Sequence, residues 1–329
     1  MNVRHLSFRL LQVYQAVVQS GSITAAARTL HLTQPTVSIQ LKKLTEWTGA
    51  PLLETQDGAL VPTLIGAELY RASQDVLGRF GDFSQYVQSA RAGNSGSLSL
   101  GVVTTAKYIL PPLLAEFSRQ FPQIELTLNI GNRAQILSRF EHQQDDLFLF
   151  SHPPAGNQVL AHRLLKNPLQ LIAPPGHWAA GQAGIKMAAL KDERFLIREP
   201  GSATRLMLET WLSSQGLVLQ KTMQIESNEA IRLSVASGLG LAVLSAHTLQ
   251  AGTEPVERLQ VQGLPLESHW YLVARRDRRL SAAAAQLIRF LPAQLAAHLD
   301  PGWLVQDVAD LPDYFLQPAS AHSVTSGSA

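Results

Sequence analysis

The stretch Ser22-Ile-Thr-Ala-Ala-Ala-Arg-Thr-Leu-His-Leu-Thr-Gln-Pro-Thr-Val-Ser-Ile-Gln-Leu-Lys-Lys-Leu44 reads as two short helices joined by a tight turn. Ser22 is a good N-cap, and Ile23, Ala26, Ala27 and Leu30 follow at helical spacing, giving a narrow apolar face of mostly small side chains against which another helix can pack closely. His31 and Leu32 turn the chain and Thr33 can cap the second helix. Pro35 is tolerated there because first-turn amides have no intrahelical acceptor. Val37, Leu41 and Leu44 repeat at i, i+4 and i+7 and fix the buried side. Pro35, Ile39, Lys42, Lys43 and Glu46 lie opposite it, with Gln34, Thr36, Ser38 and Gln40 on the flanks.

A helix-turn-helix lays the front of its second helix in the major groove, where hydroxyls, amides and lysines meet base edges and phosphates. On that reading the contacts to double-stranded DNA are Ser22, Thr33, Gln34, Pro35, Thr36, Ser38, Ile39, Lys42 and Lys43. The same pattern taken alone also suits a small bundle with a solvated polar face. Working outward, Leu6, Leu10, Tyr14, Val17 and Val18 form the inner face of a preceding helix that ends at Ser20-Gly21. After Gly49, Pro51 to Val61 reads as a hairpin with Asp57-Gly58 at its tip. From Leu64 to Ala90 the residues Ile65, Leu69, Ala72, Val76, Phe80, Phe83, Val87 and Ala90 step by threes and fours. So long and narrow a stripe suits pairing with a copy of itself, the alternative being packing against its own domain.

Gly21-Ser22, Ala26-Ala27-x-x-Leu30 and Thr33-Gln34-Pro35-x-Val37-Ser38-x-Gln40-Leu41-x-x-Leu44 resemble, almost position for position, the winged helix-turn-helix of LysR-type transcriptional regulators. The resemblance implies an N-terminal winged helix-turn-helix, all-α with a small β wing, over residues 1–62, and a long linker and dimerisation helix over 63–93. It also implies a homodimer or homotetramer, and RNA polymerase as a further partner. The chain departs from the family at the wing, where Leu52-Leu53-Glu54-Thr55 and Asp57 replace the usual Leu-Phe-x-Arg and basic tip, and Val61-Pro62-Thr63-Leu64-Ile65-Gly66 replaces Leu-Thr-x-x-Gly. An acidic wing predicts a shallower salt dependence of DNA binding, since each lost phosphate contact lowers the slope by roughly one.

The chain has 329 residues, 46% of them hydrophobic, and no run long enough to span a membrane. Its N-terminus carries Arg4, His5 and Arg9 without an apolar export segment, which predicts a cytoplasmic location and no membrane partner. The absence of cysteine excludes disulfides and thiol-based redox sensing. Net charge is only +2, but residues 1–50 carry +4 and residues 51–90 carry −3, so the positive field is confined to the part assigned to DNA.

Ala92-Gly93-Asn94-Ser95-Gly96-Ser97 is a flexible break. Beyond it, apolar strands such as Leu98–Val103, Leu147–Ser151, Leu169–Ala173 and His269–Arg275 alternate with helical segments, among them Ala106 to Phe121. Such alternation predicts parallel sheets covered by helices, here a C-terminal α/β domain of two lobes, periplasmic-binding-protein-like, over residues 94–300. Lobe I takes about 97–168 and 269–299, and lobe II about 169–268.

Thr104-Thr105-Ala106-Lys107, Gly201-Ser202-Ala203-Thr204-Arg205 and Ser227-Asn228-Glu229 are three helix starts that should converge on the cleft. Thr104, Thr105, Lys107, Gly201, Ser202, Thr204, Arg205 and Asn228 are therefore the expected ligands of a small anionic effector, the competing view being that the hydroxyls are caps and nothing more. Val102 to Tyr108, Asn167-Pro168-Leu169, Ile172 to Pro175, Arg198-Glu199-Pro200-Gly201-Ser202-x-Thr204-Arg205, Ser227 to Ile231 and His269-Trp270-Tyr271 resemble the LysR-type regulators of carbon-fixation operons. That resemblance runs from about residue 2 to 299 and implies a phosphorylated or dinucleotide metabolite.

No histidine spacing suggests a metal, and no cofactor is expected. Arg275-Arg276-Asp277-Arg278-Arg279 reads as a solvated turn. In the 301–329 extension, Trp303, Val308, Leu311, Tyr314 and Phe315 can dock onto the domain or a neighbour, while the Ser-rich end is expected to be disordered. Two other classes compete with a ligand-responsive regulator: a solute-binding protein, favoured by the lobes alone, and an enzyme using Lys107, which lacks a partnered base or nucleophile.

Overall fold

The fold is described from a computed structural model, in which residues 6–56, 58–92 and 96–317 are described. The chain divides into two compact units, Met1–Val87 and Gln88–Ala329.

In the first unit, Ser7 caps α1 (Phe8–Ser20), Ser22 caps α2 (Ile23–Thr29) and Thr33 caps α3 (Gln34–Thr48), each side chain accepting from the backbone amide three residues on. Gly21 and Gly49 close α1 and α3 with left-handed backbone, which costs glycine little. His31 turns the chain between α2 and α3 at φ 53°. Val13 and Val17 of α1, Ala26 and Ala27 of α2 and Val37 of α3 meet in one buried cluster. The hairpin pairs β1 (Leu53–Gln56) with β2 (Ala59–Pro62), and the Leu60 amide donates to the Gly21 carbonyl, which anchors the hairpin to the first turn. Asp57, the expected tip, lies outside the described residues.

Thr63 then starts α4 (Leu64–Ala92), its hydroxyl accepting from the Gly66 amide at 3.0 Å and donating to the Pro51 carbonyl at 2.8 Å. Gly66 sits where a Cβ would run into the Leu52 carbonyl and the Tyr14 hydroxyl. One face of α4, with Gly66, Tyr70 and Ser73, is buried in its own unit, and Gln15 and Gln19 of α1 donate to Ser73 and Tyr70. Much of the expected apolar stripe is a different face: Ile65, Val76, Phe80 and Phe83 are 41–61% exposed.

The second unit holds two sheets. In chain order its elements are β3 (Gly96–Val103), a 3-10 turn (Thr104–Tyr108), α5 (Leu110–Gln120), β4 (Ile124–Gly131), α6 (Arg133–Glu141), β5 (Leu147–Phe150) and β6 (Val159–Lys166). They continue with β7 (Leu169–Ala173), β8 (Arg194–Ile197), α7 (Ala203–Ser214), β9 (Lys221–Gln224), α8 (Asn228–Ala236), β10 (Ala242–Ser245), α9 (Ala246–Gln250), β11 (Glu257–Arg258), β12 (His269–Arg275), α10 (Ala282–His298) and α11 (Leu311–Leu316). One sheet has the order β4-β3-β5-β12-β6; the other places β7 between β10 and β11, with the parallel pair β8-β9 joined to it by the Phe195–Leu241 bridge. The chain crosses between the sheets twice side by side, with the Asn167 amide donating to the Ser268 carbonyl at 2.7 Å.

Three expectations need correction. The sheets are mixed, because β12 returns antiparallel to β5 and β6, and β7 is antiparallel to β10 and β11. The helix expected from Ala106 to Phe121 is broken into the 3-10 turn and α5, since Pro111 and Pro112 fix a new helix start at Leu110. Strand β6 was absent from the sequence reading, because Val-Leu-Ala-His-Arg-Leu-Leu-Lys satisfies neither period cleanly. The extension packs on the first sheet's core through Val305, Val308, Leu311 and Phe315, whereas the end expected to be disordered, 318–329, and residues 93–95 of the expected break lie outside the described residues.

Candidate functional site

The front of α3 is an open edge. Thr33, Gln34, Pro35, Ile39, Lys42 and Lys43 are exposed, Thr36 and Ser38 are half-buried, and Val37 and Leu44 are fully buried beneath them. Ile39 keeps 56% of its surface in solvent, which its own domain does nothing to cover. The Thr33 and Thr36 hydroxyls share a hydrogen bond of 2.8 Å, so their reach is fixed by the cap. Ser22 is occupied as the α2 cap, accepting from the Ala25 amide. Lys42 lies 3.9 Å from Glu46, a solvent-screened pair that leaves the ammonium able to reach a phosphate.

In the second unit a cleft between the sheets is lined by Val103, Thr104, Thr105, Asn132, Arg133, Ser151, Arg198, Ser202, Ala203 and Thr204. Its volume is about 10 Å³, room for roughly one water. Of the residues expected to hold an effector, Thr104, Thr105, Ser202 and Thr204 come together here. Thr104 donates to the Gly131 carbonyl at 2.9 Å, and Ser202 precedes α7 without capping it. Gly201 stands at the rim, where its carbonyl accepts from the Ala134 amide and a Cβ would come within 2.8 Å of the Ala134 Cβ.

Two expected cations are elsewhere. Arg205 is directed to Glu209, the Gln224 side chain and the Arg198 carbonyl, because its place one residue beyond Thr204 puts it on the outer side of α7. Lys107 pairs with Glu229 at 2.6 Å across the lobes, the break before α5 having displaced it from a helix start. Glu229 also accepts from Tyr108 at 2.7 Å and Ser227 at 3.0 Å. Burial acts to raise the Glu229 carboxyl, but the hydrogen bonds from Lys107, Tyr108, its own amide and Ser227 prevail and hold it at about 2. Burial first, and then the bond to Glu229, push the Tyr108 phenol above its ordinary value.

Two cations line the cleft, a half-buried Arg133, whose Nε donates to the His152 carbonyl at 2.9 Å, and Arg198, which is only 4% exposed and is not among the expected ligands. Arg198 makes two hydrogen bonds to Glu199, at 2.8 and 2.9 Å, and a third to the Asn228 Oδ1. Asn132 reaches Glu199 from the other lobe at 3.2 Å. The Asn228 Nδ2, wholly buried, has no hydrogen-bond partner among the described residues. A signal for Arg198 is present in the sequence: it directly follows an apolar strand and precedes a Pro-Gly turn and a helix start, where open sheets bind ligands. No group of His, Asp and Glu among the described residues could hold a metal ion, and none of their helices is long and apolar enough to cross a membrane.

A "RuBisCO operon transcriptional regulator" of Allochromatium vinosum is 37% identical over 89% of this chain and 97% of its own length. The CcmR regulatory domain of Synechocystis PCC6803, solved in complex with 2-PG, is 35% identical, with a TM-score of 0.58 over 60% of this chain and 96% of that one. Full-length CbnR complexed with its target DNA shares the fold at 18% identity, with a TM-score of 0.59 over 88% of this chain and 99% of that one. Residues 8–67 match the bacterial regulatory helix-turn-helix protein, lysR family, and residues 91–296 match the LysR substrate binding domain. The chain, with a reading helix at one end and a two-lobed cleft at the other, belongs to the LysR family of DNA-binding transcriptional regulators.

Proposed function

We propose that this regulator controls carbon-fixation genes, binding a small phosphate-bearing anion between its lobes and reading a two-fold operator as a homodimer or a homotetramer. The observation that carries the effector reading is Arg198, a guanidinium nine-tenths buried at the back of the cleft beside the unpartnered Asn228 amide and the start of α7. Buried polar groups are ordinarily satisfied, so an amide left over marks room for a ligand atom. The chemistry suits a carboxylate or phosphate, which a guanidinium binds with two parallel hydrogen bonds and a helix start favours by its amides. The relatives' names support the pathway, and 2-PG in the CcmR complex supports the effector class.

Because the cleft holds about 10 Å³, entry requires the lobes to open and then close on the ligand. At the other end, Gln34 and its neighbours meet base edges while Lys42 and Lys43 hold phosphates. The uncovered Ile65, Val76, Phe80 and Phe83 of α4 form the seam between two copies, and RNA polymerase is the partner to which promoter-bound protein is presented. Isothermal titration with 2-phosphoglycolate tests the effector class. A saturating ligand at 100 times its dissociation constant should also stabilise the fold by about 2.7 kcal/mol. Neither heat nor a shift in melting temperature with this or any other phosphorylated acid would remove the effector proposal.

A further inference from the structure

The family match ends at residue 296, yet the chain folds on for a further stretch. Leu304 forms an antiparallel bridge with Leu165 on β6, the outer strand of the first sheet. Val305, Val308, Leu311 and Phe315 are all under 10% exposed in that sheet's core. α11 packs against α10 and β6. The extension is therefore fastened to lobe I along its length.

At its beginning it reaches the other lobe. Asp300 accepts from the Gly302 amide at 2.7 Å and turns Trp303 inward. The Trp303 ring lies 4.3 Å from the ring of His247, whose centroid is 4.7 Å from that of Trp270 in a stack tilted by only 24°. His247 belongs to α9, which follows β10 of the second sheet, whereas Trp270 belongs to β12 of the first. The His247 Nε2 is also 2.8 Å from the Lys166 carbonyl of β6. A side chain of lobe II is thus in ring contact with two indoles fastened to lobe I. The contact occurs beside the crossing segments, where the Ala246 amide donates to the Pro168 carbonyl at 2.9 Å and Ser245 donates to Asn167.

We propose that residues 300–317 form a hinge strap: Trp303 closes over His247, and opening the cleft draws this histidine away from the two indoles. The strap thereby biases the lobes toward the arrangement in which the cleft holds about 10 Å³. Trp303 is a positioning residue, outside the lining of the cleft. Rotation at a hinge displaces nearby rings by only a few ångströms, but stacking falls off over that distance, so a small rotation is enough to break the contact.

The chain has no cysteine, so a pair of spin labels can be placed cleanly at exposed Glu141→Cys in lobe I and Lys191→Cys in lobe II. Pulsed dipolar spectroscopy on the effector-free protein then reads the distribution of distances between the lobes. Trp303→Ala should raise the open population about two- to tenfold, the weight of one aromatic pair, and Trp303→Phe should restore most of the closed state. Truncation after Leu299 should open it further. If Trp303→Ala loses the circular-dichroism signature of the folded chain, His247→Ala carries the same expectation from the lobe II side. A distance distribution in the folded Ala variant that superimposes on the parent's overturns the strap, as does a Phe variant that opens as far as the Ala variant. The measurement needs no ligand, so its outcome is independent of the effector reading.

Discussion

The two ends of this chain handle polar side chains in opposite ways. At the front of α3, Thr33, Gln34, Lys42 and Lys43 stand in solvent, with a local cap at Thr33 and a loose ion pair at Lys42. Around the cleft, Arg198, Glu199, Asn228 and Asn132 are bonded to one another, and outside it Lys107 is held by Glu229. The difference follows from where the partner comes from. DNA approaches from outside, so water satisfies the reading edge until it arrives; an effector enters a closed interior, where unpaired charge is too costly to keep. A binding surface can thus be read as a list of exposed residues, whereas a binding cavity is a network in which the ligand exchanges for existing partners.

The sharpest break of this contrast is Arg198→Met. It leaves Glu199 buried beside two amides with no counter-ion, and losing one member of such a pair costs about 3–5 kcal/mol. Urea denaturation followed by tryptophan fluorescence checks it, since four of the five tryptophans lie in that unit. A loss below about 1 kcal/mol would mean that the cleft is as loosely coupled as the reading edge. Next in size is Gly66→Ala, which forces a methyl against the Leu52 carbonyl and the Tyr14 hydroxyl. Overpacking of this kind costs about 1–3 kcal/mol, and it should lower DNA affinity by disturbing the support while leaving every α3 side chain in place. Unchanged thermal unfolding of the first unit would show that α4 can shift away from the hairpin.

These two sites also mark what was legible beforehand. The helix-turn-helix could be read because its burial follows a single period on short helices, Val37 and Leu44 inside and Gln34 and Ile39 outside, all from one local segment. The lobes could be placed because apolar runs such as Leu147 to Phe150 are buried on both faces. What failed was orientation. Whether β12 runs with or against β5 depends on a crossover more than a hundred residues long, and no local pattern encodes it. Lys107 and Arg205 were chosen for being cations near helix starts, but one was displaced by Pro111-Pro112 and the other turned outward by its helical phase. Arg198, one residue beyond β8, carries no periodic signal of its own.

On the open side the expected effects concern DNA rather than stability. Gln34→Ala should cost about 1–3 kcal/mol of specific binding and relax the ranking of operator variants, with the melting temperature unchanged. Lys43→Ala should weaken all sequences about equally and lower the salt slope by about one. Competition gel shifts at two salt concentrations separate these outcomes. If Gln34→Ala preserves the ranking, Gln34 does not read a base and the reading edge lies further along α3.

The smallest effect tests whether Lys107 and Glu229 are truly paired between the lobes. Glu229 sits at about 2 in the folded chain against an ordinary 4.5, with Lys107, Tyr108, its own amide and Ser227 overcoming the burial that opposes them. A carboxyl depressed by folding stabilises the protein fully above its unfolded value, and loses that contribution as pH falls through the folded one. The window is therefore from about pH 4.5 down to about pH 2, and neutral pH leaves the pair intact. Because the Glu229 side chain keeps 35% of its surface in water, solvent screening reduces what the pair contributes. Glu229→Gln should flatten the acid limb of stability against pH across that window and leave the slope above pH 5 unchanged. An acid limb identical to the parent's would show that Lys107 and Glu229 are as independent in solution as the residues of the reading edge, and the contrast between the two ends would then stop at Arg198.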